Sequence, residues 1–375
     1  MRVCVVVLNS VWYDPRVRKQ IRSYLDAQID LVCVGYQCNR YDAEKVAQIP
    51  CKVTIVEPDP RYTGHQRSPI KKVMREIVRD QQLCDAIIAY QPDVIHANDL
   101  NTLAACAKAA RKLHCRLIYD SHEICAENHY LKGLHKKYAA LTEKLCIWKA
   151  DQMVCVSHAA ADYFVKKYGI DRPMVVTNCS LKAEQHISDE KNPGFEVLNH
   201  GQYYGGRGYD IMVEAIPFLK DYPEIKVAMR GFGSMEEGLR ARAKELGDEN
   251  VRFYPKVLVQ ELIAMASRSH VGVAITEPIC LNFELSVSNK LFEYASAGLP
   301  VIMSDIPEHR YLNEKYQFGI VLPDNKPETF AQAAIKLYTD KDFYNRCAEN
   351  ARRLSEEINW ENEYQKIINF ITSER

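Results

Sequence analysis

Short apolar runs alternate along the chain with longer stretches in which apolar residues recur every three or four positions. The runs Arg2 to Leu8, Leu31 to Val34, Lys52 to Val56, Asp93 to His96 and Arg116 to Tyr119 have the length and composition of buried strands. Between them, Pro15 opens a helix, PRVRKQIRSYLDA, with Val17, Ile21, Tyr24 and Leu25 apolar, and Ile70 to Tyr90 and Leu100 to Leu113 carry helical patterns. Val154 to His158 reads as a further strand end and Met174 to Thr177 as the last strand of this half. Strand, loop and helix in repetition predict an α/β fold with a parallel, doubly wound sheet, which binds ligands beyond the carboxyl ends of its strands. Ser180 to Gly194 is polar and aperiodic, as an interdomain linker would be. The pattern then resumes with strands at FEVLNHG, Ile225 to Arg230, Val251 to Lys256 and Leu299 to Met303, and Trp360 to Ile371 has helical spacing.

Within the second half, SVSNKLFEYASAGLPVIMSD, residues 286–305, reads as a loop, a helix and a buried strand. Ser288 is the expected N-cap, Gly298 stands where a left-handed C-cap belongs, and Pro300 prevents continuation. Free backbone N–H groups, the helix dipole and Lys290 favour an anion at the start of this helix. Asn289 and Glu293 lie one turn apart, so Glu293 can accept ribose hydroxyls below a phosphate. A solvated Lys-Glu pair on an amphipathic helix is the plain alternative. A glycine-rich turn in QYYGGRGYDIMVEAI lets backbone approach a phosphate at Gly206 while Arg207 clamps it. Gly231-Phe232-Gly233 lacks the spacing and the strand-end acid of a dinucleotide loop, which excludes an NAD site there.

Two strand ends in the first half carry titratable clusters. VIHANDL places His96, Asn98 and Asp99 past one strand, and LIYDSHE places Asp120, His122 and Glu123 past another. Either histidine alone would read as a satisfied structural residue. Two histidine-carboxylate clusters on one rim of a sheet point instead to a site.

The 375 residues are enough for two domains with real cores, and a net formal charge of zero argues against a dedicated nucleic-acid partner. Thirteen cysteines without a C-x-x-C pair imply neither a disulfide framework nor a zinc ribbon, which fits the cytoplasm. A strand beginning at Arg2 leaves no room for a signal peptide, and no apolar run approaches the roughly 18 residues of a membrane span. Residues 61–79 set Arg61, Arg67, Lys71, Lys72, Arg75 and Arg79 against one acid, Glu76. With Tyr130, Leu131, Lys132, His135, Lys136, Lys137 and Tyr138, they form a candidate contact for the inner membrane face or a phosphorylated lipid, against the alternative of a solvated helix face. Asp340-Lys341-Asp342 is the one D-x-D sequence and reads as a helix cap rather than a metal site.

NKLFEYASAGLPV resembles the signature of retaining GT-B glycosyltransferases of the family 4 group, enzymes of bacterial polysaccharide and glycolipid assembly. The resemblance implies two Rossmann-like domains facing a cleft. Residues 1–180 would be the acceptor side, with a C-terminal helix, 360–375, packing back on it, and 181–359 would bind the nucleotide sugar. It implies that Glu293 holds the ribose, that Gly206, Arg207, Asn289 and Lys290 surround the diphosphate, and that the turn at Lys256 faces the base. His122, with Asp99 and Glu123, would face the transferred sugar or the acceptor, a saccharide or lipid-linked hydroxyl. It further implies transfer without a metal, by front-face attack assisted by the leaving phosphate. Leu285 replaces the first glutamate of the family's E-x7-E pattern, with Glu284 one residue off and Glu277 further back, and Gln202 replaces its arginine. A sugar-nucleotide epimerase of the same architecture and a catalytically silent nucleotide-sugar binder are the rival readings.

Overall fold

The apolar runs assemble into two parallel sheets. The structure, a computed structural model, describes residues 1–37, 41–63, 69–128 and 131–373. They divide into two compact units, Met1–Val176 with Glu363–Arg375, and Thr177–Asn362. Among the described residues no helix is long and apolar enough to cross a membrane.

In the first unit the strands are β1 (Arg2–Val6), β2 (Asp30–Tyr36), β3 (Lys52–Val56), β4 (Val94–Asn98), β5 (Arg116–Ser121), β6 (Gln152–Cys155) and β7 (Met174–Val175). Their order is β3-β2-β1-β4-β5-β6-β7, so the winding reverses between β1 and β4. Val3, Cys4, Val5 and Val6 have no exposure, because β1 is paired on both edges and covered on both faces; that is why it reads as an unbroken apolar run. The helix Pro15–Asp26 starts where Pro15 fits the first turn and the Asp14 carboxylate accepts from the Val17 N–H at 3.1 Å. The helix Trp360–Thr372 contributes Tyr364, edge-on to Tyr24 at 5.4 Å, and Arg116 donates to the Phe370 carbonyl at 3.0 Å.

The second unit contains β8 (Phe195–Gln202), β9 (Ile225–Phe232), β10 (Val251–Tyr254), β11 (Val271–Ala274), β12 (Val301–Ser304) and β13 (Gly319–Leu322), in the order β10-β9-β8-β11-β12-β13. Its reversal lies between β8 and β11. Two of these strands, β11 and β13, are not marked by the apolar pattern; each has only four residues, and one of the four is a glycine, which weakens the strand signal. The polar stretch 180–194 lies in this unit, where the Lys191 ammonium bonds the carbonyls of Ser267 (2.6 Å) and Ser269 (3.0 Å). Glu196 has no exposure, and its charge is compensated by Arg252 at 3.1 Å, Tyr254 at 2.7 Å and Ser269 at 2.6 Å.

The Gly-Phe-Gly segment has a packing role. At Gly231, with φ 151°, an added Cβ would stand 1.8 Å from the Gly201 carbonyl oxygen, so only glycine lets the ends of β8 and β9 approach this closely. Gly231→Ala is expected to lower stability by about 1–3 kcal/mol, the usual cost of overpacking. An earlier denaturant midpoint with unchanged slope is the expected result, and an unchanged midpoint would refute the packing role.

Candidate active site

In the first unit the residues gather at the carboxyl ends of β4 and β5, beside the sheet's reversal. Asp120, without exposure, is the hub. The Arg16 guanidinium spans its carboxylate, Nε to Oδ2 at 3.1 Å and Nη2 to Oδ1 at 2.9 Å, and the Gln20 amide donates to Oδ2 at 2.8 Å. Burial alone would raise the Asp120 pKa, but Arg16 and then His122 outweigh it and hold the carboxyl well below its ordinary range. His96 is also fully buried, with Nδ1 at 2.7 Å from the Tyr24 hydroxyl, and burial pushes its pKa down. It is a neutral support.

His122 faces two carboxylates. Nδ1 lies 3.3 Å from Asp99 Oδ2, and Nε2 lies 3.6 Å from Asp120 Oδ2 and 2.9 Å from Asn98 Oδ1. Burial opposes its charge, yet Asp99 and Asp120 together push the pKa to about 10, so the ring is an imidazolium at neutral pH. Asp99 itself has φ 63° and ψ 163°, backbone space that is nearly glycine's alone and that costs about 1–3 kcal/mol. Its N–H donates to the Asp120 carbonyl at 2.9 Å, and its carboxylate accepts the His122 N–H at 3.1 Å. The Asp99 side chain keeps 28% of its surface, His122 16% and Asp120 none, so Asp99 is the one best able to meet a ligand. Glu123 instead accepts the Asn128 amide at 2.7 Å, and the structure brings Asp120 rather than Glu123 to the His122 ring. Arg16 and Gln20, which complete the cluster, carry no signal in the sequence beyond their place in the first helix.

In the second unit the helix Asn289–Ser296 starts at Ser288, whose backbone is extended but whose side chain makes no capping bond. Gly298 takes the left-handed conformation, φ 68°. Lys290 does not pair with Glu293. Its ammonium reaches Asn199 Oδ1 at 2.6 Å, on β8, and the Tyr209 hydroxyl at 3.4 Å. Asn199 turns its amide to the Arg207 carbonyl at 3.0 Å, which ties the glycine-rich turn to the helix start. The Arg207 guanidinium lies over Phe283 at 4.4 Å and donates to the Tyr204 hydroxyl at 2.9 Å. Among the described residues, no carboxylate forms an ion pair with Arg207 or Lys290. Burial first and Arg207 second push the Lys290 pKa down to about 7, which an arriving anion would reverse.

Glu293 Oε2 is 2.7 Å from Nε2 of His200, a buried residue on β8 whose ring lies tilted against Tyr294 at 4.5 Å. His200 and Asn199 escape sequence reasoning, since each lies about ninety residues from its partner in sequence. Gly206, φ 79°, accepts the Glu277 N–H on its carbonyl at 3.0 Å. Asn289 is exposed at the helix start. Lys256 is exposed beyond β10, with its ammonium 5.0 Å from the Phe232 ring. Asp340 caps the helix Lys341–Glu357 by accepting from the Phe343 N–H at 2.9 Å. No group of side chains suited to a metal ion occurs among the described residues.

Two families match the chain: Glycosyltransferase Family 4 over residues 24–181, and Glycosyl transferases group 1 over residues 194–340. An uncharacterised glycosyltransferase of Methanocaldococcus jannaschii is 23% identical over 68% of this chain and 68% of its own length. The D-rhamnosyltransferase WbpZ of Pseudomonas aeruginosa is 30% identical over 44% of this chain and 41% of its own. Among solved structures, sucrose-phosphate synthase of Thermosynechococcus elongatus superposes with a TM-score of 0.78 at 14% identity, covering 99% of this chain and 98% of that one. The Anabaena protein HepE in complex with UDP-glucose gives 0.72 at 15% identity, over 100% of both chains.

The His122 geometry fixes a pH dependence. Its pKa of about 10 in the fold against roughly 6.5 unfolded means that the ring stabilises the fold fully below about pH 6.5 and loses that contribution as pH rises toward 10. The stability difference between the protein and His122→Gln should therefore shrink on going from neutral to alkaline pH, and nitrogen NMR should find both ring nitrogens protonated at neutrality. A ring that titrates near its ordinary value would overturn the assignment.

Proposed function

We propose that this chain, which is a glycosyltransferase of the GT-B, family 4 type, moves a sugar from a nucleoside diphosphate to an acceptor hydroxyl with retention of configuration. The carrying observation is the pair of cations without carboxylate partners, Arg207 and Lys290, at the sheet reversal of the second unit beside the start of the helix Asn289–Ser296. Negative charge grows on the departing diphosphate as the glycosidic bond breaks, and cations aimed at it act most strongly away from water. Arriving phosphate draws a full proton onto Lys290, so its charge is delivered where the leaving group needs it. Glu293, oriented by His200, accepts the ribose hydroxyls one turn below. That the Anabaena neighbour was solved with UDP-glucose supports a donor of this class.

On the acceptor side, Asp99 takes the hydrogen bond of the incoming hydroxyl, and His122, locked between Asp99 and Asp120, holds it in place. No carboxylate here takes the role of a covalent nucleophile. Front-face attack, with the leaving phosphate accepting the acceptor's proton, is the reading supported by the likeness of NKLFEYASAGLPV to retaining enzymes. An isomerised donor formed without acceptor would instead indicate an epimerase.

Glu293→Gln should cost nucleotide affinity by roughly 1.5–3 kcal/mol, about one to two decades, the worth of a charged hydrogen bond. Calorimetry on UDP, GDP and TDP and their sugars checks this, and unchanged affinity for every one of them would remove Glu293 from the site. Because Arg207 and Lys290 carry the charge at the phosphates, transfer should survive EDTA. Loss of activity with chelator and its return with magnesium would show that a metal performs that task.

A further inference from the structure

The arginines of the first unit's site and basic stretch are paired: Arg16 with Asp120, Arg61 with Asp59, Arg75 with Glu76, and Arg79 with Glu76 and Asp80. Arg67 and Tyr130 lie outside the described residues. Arg230, in the second unit, is different. It is 8% exposed near the carboxyl end of β9, and among the described residues it has no ion pair and one hydrogen bond, from Nη1 to the Pro255 carbonyl at 3.3 Å. Its guanidinium lies over the Tyr254 ring at 4.6 Å, its Nε is buried without a partner, and burial lowers its pKa. A guanidinium withdrawn from water is costly unless its donors are met. Something beyond the chain completes this one.

The strand register locates it relative to the donor residues. His200, which bonds Glu293, is the register partner of Arg230 across β8 and β9, and Arg230 is the partner of Tyr254 across β9 and β10. Neighbouring strands lie about 4.8 Å apart, so Arg230 stands one strand beyond the residue that orients the ribose carboxylate, on the β10 side. The next pair, Gly201 and Gly231, puts no side chain in the way; a Cβ at Gly201 would already be 3.5 Å from Lys290 Cε. Phe232 ends β9 with 50% of its surface exposed and the Lys256 ammonium 5.0 Å from its ring. An aromatic face left to water beside a guanidinium with free donors suits a flat heteroaromatic ring, which stacks on the one and is bonded at its edge by the other. Two N–H groups side by side require two acceptors side by side. Guanine presents O6 and N7 in that arrangement, whereas adenine sets an amino group beside N7 and thymine sets a methyl beside its carbonyl.

We infer that the donor nucleotide carries guanine, with its O6 and N7 edge bonded by the Arg230 guanidinium and its ring laid on Phe232. The inference rests on the donor reading above and names the base. It makes Arg230 a specificity-determining residue and gives the exposed Phe232 ring a task that the packing of Gly231 and Gly233 does not.

Calorimetric titration of the full chain with GDP, UDP, ADP and CDP tests the assignment, and 7-deaza-GDP, in which a C–H replaces N7, tests the edge without altering the protein. GDP should bind at least about tenfold more tightly than each of the others, the analogue included, the equivalent of ~1.4 kcal/mol. Arg230→Lys keeps the charge but loses the planar fork, and should bring GDP down to the level of 7-deaza-GDP while UDP affinity holds. Phe232→Ala, at an exposed position, should weaken every nucleotide by about tenfold, since stacking is indifferent to the base. GDP matched by UDP, ADP or 7-deaza-GDP on the wild type would overturn the assignment. So would unchanged GDP affinity in Arg230→Lys, or a preference for CDP, whose N3 and O2 also stand side by side. Failure of the donor reading gives a different result: no nucleotide binds, or Glu293→Gln leaves every affinity unchanged, whereas a wrong base leaves nucleotide binding that depends on Glu293 but does not favour guanine.

Discussion

A carboxylate with no access to water has to be compensated where it stands, and the first unit is arranged around that requirement at Asp120. Burying an unpaired carboxylate costs several kcal/mol even after relaxation. The Arg16 fork and the Gln20 amide meet the cost from the first helix, 104 and 100 residues earlier in sequence. Because Arg16 and Gln20 follow β1 while Asp120 ends β5, these bonds span the reversal of the sheet and fix the end of β4 between them. Asn98, Asp99 and His122 inherit their positions from that clamp. The strained backbone at Asp99 is tolerable for the same reason, since hydrogen bonds on its N–H and its carboxylate over-determine it.

The second unit solves the opposite problem. Its polar hub at the reversal is Asn199, a neutral amide that satisfies Lys290 through its oxygen and the Arg207 carbonyl through its nitrogen. Neither cation is neutralised by this arrangement, and burial, then the nearby Arg207, brings the Lys290 pKa down to about 7. One unit therefore closes its charges internally and offers a rigid carboxylate, while the other leaves two cations whose electrostatic energy improves only when an anion arrives. That division matches a reaction in which an acceptor hydroxyl must be positioned and a departing diphosphate must be stabilised.

The first unit also carries an apolar groove of about 490 Å³ between the helices Pro69–Ile88 and Gly133–Cys146. Leu100 and Ala104 of the helix Leu100–Leu113, which begins directly after Asp99, line this groove. The lysines nearby differ from the buried arginines: Arg16 and Arg79 are consumed in ion pairs that hold the fold, and among the described residues Lys72, Lys137 and Lys144 are not.

Sequence alone determined the class of the fold, because strands covered on both faces must be continuous apolar runs and the helices between them must show a repeat of three to four residues. It also located the unit 286–305 and the strand ends that carry Asp99 and His122, since polar residues directly after a buried strand have only the rim to occupy. The short strands β11 and β13 were beyond it, since a glycine among their four residues weakens the strand signal. What the tertiary structure decided was pairing. Glu123 stands next to His122 in sequence but bonds Asn128, while Asp120 reaches the ring; Lys290 stands one turn from Glu293 but bonds Asn199, and Glu293 bonds His200. Local spacing favours neighbours on one element. In the second unit the partners that prevailed, Asn199 and His200, lie on β8, and in the first Asn98 and Asp99 reach His122 from the end of the neighbouring strand β4; strand order, which no local pattern encodes, brought them there.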